Sequence, residues 1–169
     1  MFVVRLIMAG LILAAGNAFS GAPPQPVAAT FNVAWGVVFP GAEALKLVHQ
    51  CSRTAPGPIQ GTWTPSPQQI AEMDDALLPA LMVQLIQREL ADQGWEATDY
   101  YRQYGGLIIH GQRIIYVNGF HRQVVEHAPQ HDAWKAAPVA ICDGGELAFG
   151  AEYDPELKTL AKFQFNGKV

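Results

Sequence analysis

The sequence has 169 residues, of which 50% are apolar, and its formal net charge at pH 7 is −4. This apolar content is enough for a core and excludes a disordered chain, while the negative charge gives no electrostatic support for nucleic-acid binding. Only 15% of the residues are charged, whereas 16 are glycine and 12 are proline, which indicates a compact fold rich in loops.

The N-terminus has the pattern of a signal peptide. A single positive charge precedes the apolar run Leu6–Ala15, and the small residues Ala18 and Ser20 suit positions −3 and −1 of a cleavage site. The run is too short to span a bilayer, which takes about 20 apolar residues. We therefore expect a signal peptide over residues 1–20 and one exported domain, periplasmic or secreted and without a transmembrane segment, over residues 21–169. An uncleaved N-terminal anchor is the alternative.

The chain contains two cysteines, Cys51 and Cys142, and no CxxC pair. In an oxidising compartment two such cysteines usually form one disulfide, so we predict a Cys51–Cys142 bridge. Two buried free thiols are the alternative. A catalytic thiol would need a base and would leave the other cysteine unpaired.

The elements before the main helix are short. Thr30–Val38 is aromatic and β-branched, which favours a short strand or a packed coil. Ala42–Cys51 places Leu45 and Val48 on one face of a short helix. Thr54–Gly61 contains prolines and glycines and is predicted to be a loop.

The strongest local signal is a helix start at Ser66, where a proline follows the serine and a glutamine stands three residues on. An apolar stripe follows, made of Ile70, Met73, Leu77, Leu81 and Leu85. The helix should end before Gly94, and Pro79 should kink it or divide it into two abutting helices. We expect Asp74 and Asp75 on its solvated face.

The period then changes to that of strands. Tyr104–Ile109 and Gln112–Val117 flank the short turn His110–Gly111 and predict a hairpin. Asn118–Gly119 has the sequence of another hairpin turn, which would make Phe120–Val125 a third strand. We prefer that the chain leaves the sheet at Asn118–Gly119, because the residues that follow are polar and irregular.

Further strands are predicted at Pro138–Cys142 and Glu146–Tyr153. Asp154–Pro155 suits a type I turn, and alternate apolar residues of a return strand follow it at Ala161, Phe163 and Phe165. Together these elements predict an α+β domain. In it, N-terminal helices, one of them long and kinked at a proline, pack on an antiparallel sheet of C-terminal hairpins.

No catalytic motif is present. After the leader the only serines are Ser52 and Ser66, and there is no GxSxG, HExxH, Walker or GxGxxG sequence. Asp143 and Glu146 flank a glycine pair, and with a histidine they could perform the acid–base work of a hydrolase or hold Ca²⁺. We favour a tight turn at these residues, and we expect neither an enzyme nor a cofactor.

Four residues form a metal-like cluster: His121, His127, His131 and Asp132. Imidazole suits Zn²⁺ and Cu²⁺, so convergence of these side chains would create a site. The alternative, which we favour, is a solvated polar loop, because Pro129 disfavours the helix that would bring the last two histidines together. We expect any zinc binding to be weaker than micromolar.

Several aromatic residues lie outside the predicted core stripes: Trp63, Trp95, Tyr100, Tyr101, Tyr104 and Trp134. Such rings could form an exposed patch that docks a partner or stacks on sugars. We favour their packing between helix and sheet.

The C-terminal third, with Cys142–Gly145, Phe149–Asp154 and Phe165–Gly167, resembles small exported bacterial proteins. Arg102–Gly106 and Ile115–Asn118 fit the same resemblance, which covers about half of the chain after the leader. No activity is known for those proteins, so the resemblance implies export and assigns no role to any residue.

The expected function is that of an exported interaction protein, such as an inhibitor or an envelope accessory factor. Its partner would be another envelope or extracellular protein. The alternatives are a small-ligand or metal-binding protein, with a cleft between helix and sheet, and a hydrolase that uses Asp143 and Glu146.

Overall fold

The computed structural model describes residues 35–127 and 129–168. The predicted signal peptide and its cleavage point lie outside these residues, as does most of the predicted element Thr30–Val38. No helix in the described ranges is long and apolar enough to cross a membrane.

A mixed sheet of six strands forms the centre of the described domain. The elements in chain order are β1 Gly36–Phe39, α1 Gly41–Lys46, β2 Ile59–Trp63, α2 Pro67–Gln87, β3 Tyr100–Ile109, β4 Gln112–His121, α3 Gln123–Glu126, β5 Ala148–Asp154 and β6 Thr159–Phe165. The strand order is β1-β3-β4-β5-β6, and β2 also pairs with β3. The α+β class is therefore confirmed.

The expected antiparallel sheet is wrong at one strand, because β1 runs parallel to β3. β1 pairs with Arg102–Gly105 and β2 with Gly106–Ile109, so both lie along the same edge of β3. Since α1 and the loop after it turn the chain round, β2 runs in the opposite direction to β1. β2 itself was missed, because the predicted loop Thr54–Gly61 extends into its first residues.

The β3–β4 hairpin is confirmed, with Ile109 opposite Gln112. His110 and Gly111 both have positive φ, 51° and 78°, which matches the twist that a two-residue hairpin turn requires. The hairpin is longer than predicted, and its outermost pair is Tyr100 with His121.

The predicted chain exit at Asn118–Gly119 is wrong, because β4 continues through both residues. Asn118 pairs with Gln103 and Gly119 with Arg102. A Cβ on Gly119 would lie 2.1 Å from the Phe149 ring, so glycine is required here by close packing and not by a turn. Phe120 and His121 then complete β4 as buried residues.

Helix α2 begins as predicted. Ser66 accepts a hydrogen bond from the backbone of Gln69, whose side chain accepts one in return from the backbone of Ser66. The predicted stripe from Ile70 to Leu85 is buried. The helix ends at Gln87 and passes through Pro79, so the alternative of two abutting helices is wrong, and the kink stays a prediction.

Asp74 is buried, although a solvated position was expected. The Tyr104 hydroxyl donates to Asp74 Oδ1 at 2.5 Å, and Arg102 Nε donates to the Tyr104 oxygen at 2.8 Å. Burial raises the pKa of Asp74, and the Arg102 charge acts in the opposite direction. Because each of these groups has partners, the cluster ties α2 to β3.

The sheet is covered on both faces, which creates two cores. On one face α2 packs over a cluster that includes Tyr100, Tyr104, Phe149 and Tyr153. On the other face α1 and the loop around Trp134 cover a cluster that includes Leu107, Tyr116 and Phe120. The six aromatic residues named above are buried or partly buried, so the core interpretation of these rings is confirmed.

The β5–β6 hairpin is also confirmed. Asp154 Oδ1 accepts from the backbone N–H groups of Glu156 and Leu157 at 2.8 and 2.9 Å and so fixes the turn. The pairing shifts register where β6 carries an extra residue, next to Lys162, which has a φ of 50°. The predicted strand Pro138–Cys142 is wrong: this segment forms a loop held by side chains of other elements.

Candidate functional site

The disulfide between Cys51 and Cys142 is confirmed, with a Cα–Cα distance of 5.1 Å. Two hydrogen bonds reinforce it, because Ser52 Oγ accepts from the backbone of Asp143 at 3.2 Å and Ser52 O accepts from Gly167 at 3.3 Å. The bridge therefore fixes the segment that leads directly into Arg53.

Arg53 is buried, with 8% of its surface exposed, on the sheet face opposite α2. Its Nη2 donates to Asn118 Oδ1 at 2.5 Å. Its Nε and Nη1 are also buried, and neither has a hydrogen-bond partner among residues 35–127 and 129–168. Burial lowers the pKa of the guanidinium, and the charge and polar contact of the neighbouring Tyr116 hydroxyl act in the opposite direction.

The acceptor on Asn118 is oriented by a network of buried amides. Asn118 Nδ2 donates to Gln103 Oε1 at 3.1 Å and to Val139 O at 2.8 Å, which leaves Oδ1 facing Arg53. Gln103 in turn donates to Trp134 O at 2.6 Å and to Ala137 O at 2.9 Å. The position of Arg53 is thus set by the centre of the sheet as well as by the disulfide.

The guanidinium of Arg53 packs against Gly150, which has no side chain to obstruct it. An added Cβ on Gly150 would lie 2.8 Å from the Tyr116 hydroxyl and 3.2 Å from Arg53 Nε. Burial raises the pKa of Tyr116, and the Arg53 charge opposes this effect. Hence the phenol is a neutral hydrogen-bonding group beside a cation at neutral pH.

A cavity of about 260 Å³ adjoins these groups; Thr54, Ala55, Gly57 and Gln164 line the rest of it, with Glu152 and Lys162. Glu152 is buried, with 7% of its surface exposed, and its Oε2 lies 3.0 Å from Lys162 Nζ. The Lys162 side chain is 61% exposed. The charged groups of the wall are therefore Arg53, Glu152 and Lys162, and their sum is one positive charge.

The predicted metal-like residues are not brought together. His121 is the last residue of β4, not part of a polar loop, and its ring stacks on Trp95 at 4.4 Å. His127 is exposed, and His131 and Asp132 form an exposed pair with 3.4 Å between Nε2 and Oδ2. Among the described residues no three histidine, cysteine or acidic side chains converge on a metal-binding point.

The acidic candidates Asp143 and Glu146 do not form an acid–base pair with a histidine in the described part of the chain. Asp143 has a φ of 55°, as expected of a tight turn. Glu146 lies 2.7 Å from Lys168 Nζ and 3.7 Å from Arg88 Nε. Burial acts to raise the pKa of Glu146, but Lys168 and Arg88 outweigh it and leave the pKa lowered, which suits a charged structural partner.

Sequence reasoning missed the main residues of the cavity and the hydrogen-bond partner of its arginine: Arg53, Tyr116, Gly150, Glu152, Lys162 and Asn118. A signal was present, because Tyr116, Asn118 and Glu152 are polar residues that face one side of the sheet within the mainly apolar inner parts of β4 and β5. Such polar alternation on a buried face marks a site or a network. The polar pattern indicates a common site only when the strand pairing is known, because Tyr116 lies opposite Glu152 and Asn118 lies opposite Gly150.

Comparison of the chain with models of protein families, with curated proteins and with solved structures found no match. The function must therefore be argued from the geometry of the cavity.

Proposed function

We propose that this chain is an exported ligand-binding protein that holds the anionic group of a small ligand against Arg53. The observation that carries the proposal is the pair of buried nitrogens, Nε and Nη1, that have no partner in the described ranges. A guanidinium has five N–H donors and no acceptor, and three of the five belong to these two atoms.

The energetics favour an anion at this point. A buried charge is strongly unfavourable unless it is paired and hydrogen-bonded. Glu152 is paired with Lys162 and Asn118 is neutral, so no carboxylate of the described residues forms an ion pair with Arg53. A carboxylate or another oxyanion would supply both the charge and the acceptors, in the strong charge-assisted geometry that arginine favours.

A small ligand fits better than the protein partner that the sequence suggested. The cavity of about 260 Å³ is below the 300–1,000 Å³ typical of sites for drug-sized ligands, so it receives a small molecule or one end of a larger one. The signal-peptide pattern, the resemblance to exported bacterial proteins and the disulfide support a location outside the cytoplasm.

The test is thermal unfolding of the exported protein with increasing formate, acetate or phosphate at constant ionic strength. A ligand at 100 times its Kd stabilises by about 2.7 kcal/mol, which corresponds to a rise of several degrees in Tm for a domain of this size. Arg53→Met should abolish the rise. The matched control is Arg113→Met, since Arg113 is exposed and lies over the Trp63 ring.

The control variant should respond to the anions as the wild type does. An unchanged Tm of the wild type with every anion, or an equal rise in Arg53→Met, would overturn the proposal.

A further inference from the structure

We infer that the ligand is a small zwitterion, an amino acid whose carboxylate binds Arg53 and whose ammonium binds Glu152. This inference rests on the proposed function, because it places the anionic group at Arg53. It adds a second recognition point, at which the ligand's ammonium replaces that of Lys162.

The first argument is the position of Glu152 relative to the guanidinium. Gly150 and Glu152 are two residues apart on β5, so they share one face of the strand at a spacing of roughly 6.8 Å. Arg53 lies over Gly150, and Tyr116 lies opposite Glu152 on β4. The cation and the carboxylate therefore stand side by side along the same cavity.

The spacing suits a short zwitterion. Arg53 and Glu152 line one cavity of about 260 Å³, so a ligand that contacts both must carry its carboxylate and its ammonium close together. A ligand with its two charges far apart would not reach both groups at once.

The second argument is that the ion pair between Lys162 and Glu152 is easily broken. Its side chain is 61% exposed, and its ion pair with Glu152 is its one salt bridge among the described residues. It lies at the extra residue of β6, with a left-handed φ of 50°, on the edge strand of the sheet. Ion pairs that involve an exposed lysine are weak, so a ligand ammonium can displace this one at little cost.

Glu152 differs from Lys162 in this respect. Glu152 is 7% exposed, so its carboxylate stays in the cavity when Lys162 moves out to water. A buried carboxylate without a cation is unfavourable, so a new partner for it would be stabilising. The ammonium of a ligand in the cavity would form this ion pair with Glu152.

The third argument is charge complementarity. When Lys162 is displaced from Glu152, the charged groups that remain in the cavity wall are one guanidinium and one carboxylate, which match the two ends of a zwitterion. A simple anion at Arg53 would also face the negative charge of Glu152, and a simple cation at Glu152 would face Arg53. Charges placed in this way select against ligands that carry only one of the two groups.

The size of the cavity selects small members of this class. Its volume of about 260 Å³ equals the liquid volume of roughly nine water molecules. Ala55 and Gly57, which also line the cavity, add no charged group to it. Glycine, alanine and β-alanine are therefore the probes of choice.

The experiment is calorimetric titration of the exported protein with glycine, L-alanine and β-alanine, beside acetate and methylammonium, which each carry one of the two charges. We expect at least one amino acid to bind tenfold more tightly than acetate, and methylammonium to give no measurable heat. Glu152→Gln should weaken binding of that amino acid at least tenfold and leave acetate binding unchanged or tighter.

A second pair of variants tests the displacement of lysine. Lys162→Ala should tighten amino-acid binding several-fold, because no ammonium competes for Glu152. The matched control is Lys158→Ala, since Lys158 also has a left-handed φ, 54°, and pairs with a glutamate, Glu72, at 3.3 Å. The control should leave the affinity unchanged, and this pair keeps the test decisive if Glu152→Gln fails to fold.

The outcomes separate the two proposals. Acetate binding as tightly as every amino acid, or no gain of affinity in Lys162→Ala, would overturn the zwitterion and leave an anion site at Arg53. If no amino acid binds the wild type and formate, acetate and phosphate also fail to bind, both this inference and the proposed function are wrong.

Discussion

Arg53 Nη2 donates a hydrogen bond of 2.5 Å to Asn118 Oδ1, although the two residues are 65 positions apart in the chain. Arg53 lies in the loop that follows Cys51, whereas Asn118 lies within β4, where its side chain is hydrogen-bonded to Gln103 and Val139. This bond therefore fixes the guanidinium beside the cavity and couples it to the centre of the sheet.

Replacing Asn118 should be costly for this reason. Asn118→Ala removes the acceptor for Arg53 and the donor to the oxygens of Gln103 and Val139; two of these three bonds are buried and the third is partly buried. We therefore expect a loss of about 2–4 kcal/mol in the free energy of unfolding. Urea unfolding followed by tryptophan fluorescence measures the loss.

Asn166→Ala is the matched control for this experiment. Asn166 is also buried, but its side chain makes one hydrogen bond, from Nδ2 to Ile141 O, and its Oδ1 has no partner in the described part of the chain. We expect a loss of about 1 kcal/mol. Equal losses in the two variants would contradict the role given to the Asn118 network.

Local signals predicted the elements that local physics determines. Ser66 and the glutamine at its third following position fix the start of α2 by bonds within one turn, and the stripe from Ile70 has the period of a buried helix face. His110–Gly111 likewise predicts its turn, since only residues that tolerate positive φ suit it. These parts of the fold were accessible from the sequence.

The site was not accessible, because its residues act through non-local pairing. Asn118–Gly119 has the sequence of a turn, but the strand continues through both residues, and the Phe149 ring occupies the space that a side chain at position 119 would need. Arg53 follows a cysteine in a loop, and nothing nearby in the sequence indicates that it is buried. The parallel strand β1 depends on a pairing with β3 across more than 60 residues.

Gly150→Ala should close the ligand site. The new Cβ would lie 2.8 Å from the Tyr116 hydroxyl and 3.2 Å from Arg53 Nε, so the guanidinium must move. We expect a loss of at least tenfold in affinity for the anion and a destabilisation of about 1–3 kcal/mol, as for other overpacked cores. Titration and urea unfolding measure the two effects separately.

Gly57→Ala serves as the control, since Gly57 also lines the cavity. Its added Cβ would meet Ile109 and His110 at 3.5 and 3.6 Å, which is ordinary contact. The affinity of this variant should stay within about twofold of the wild type, a difference of less than about half a kcal/mol. A similar loss of affinity in both variants would show that the cradle at Gly150 is not specific.

The disulfide should matter for binding as well as for stability. Cys51 and Cys142 are separated by 91 residues, and the chain-entropy model gives about 4.6 kcal/mol for a loop of this length. The double variant Cys51→Ser, Cys142→Ser should lose stability of this order. It should also lose affinity for the anion, because Arg53 is two residues from Cys51.

The affinity of this variant is measured at a temperature where circular dichroism shows that it is folded. Unchanged affinity in the folded double variant would mean that Asn118 alone holds Arg53 in place.

His121 should make the stability of the fold depend on pH. Its ring is buried between Trp95 and Tyr100, and its Nδ1 accepts from the backbone of Gln123 at 3.4 Å. Burial lowers the pKa of His121; Asp99, which is 4.0 Å away, and Glu126 oppose this effect, and Arg122 adds to it.

The sign follows from proton linkage. The unfolded chain takes up a proton as the pH falls below about 6.5, whereas folded His121 does so only at a lower pH, so the free energy of unfolding falls over this interval. The full contribution is present above the unfolded pKa and is lost as the pH falls through the folded one.

His121→Phe keeps an aromatic ring beside Trp95 and should remove this part of the pH dependence. Urea unfolding at intervals between pH 8 and pH 5 measures it, with His127→Phe at an exposed position as the control. The control should keep the wild-type slope, and a wild-type slope in His121→Phe as well would contradict the assignment of the pH dependence to His121.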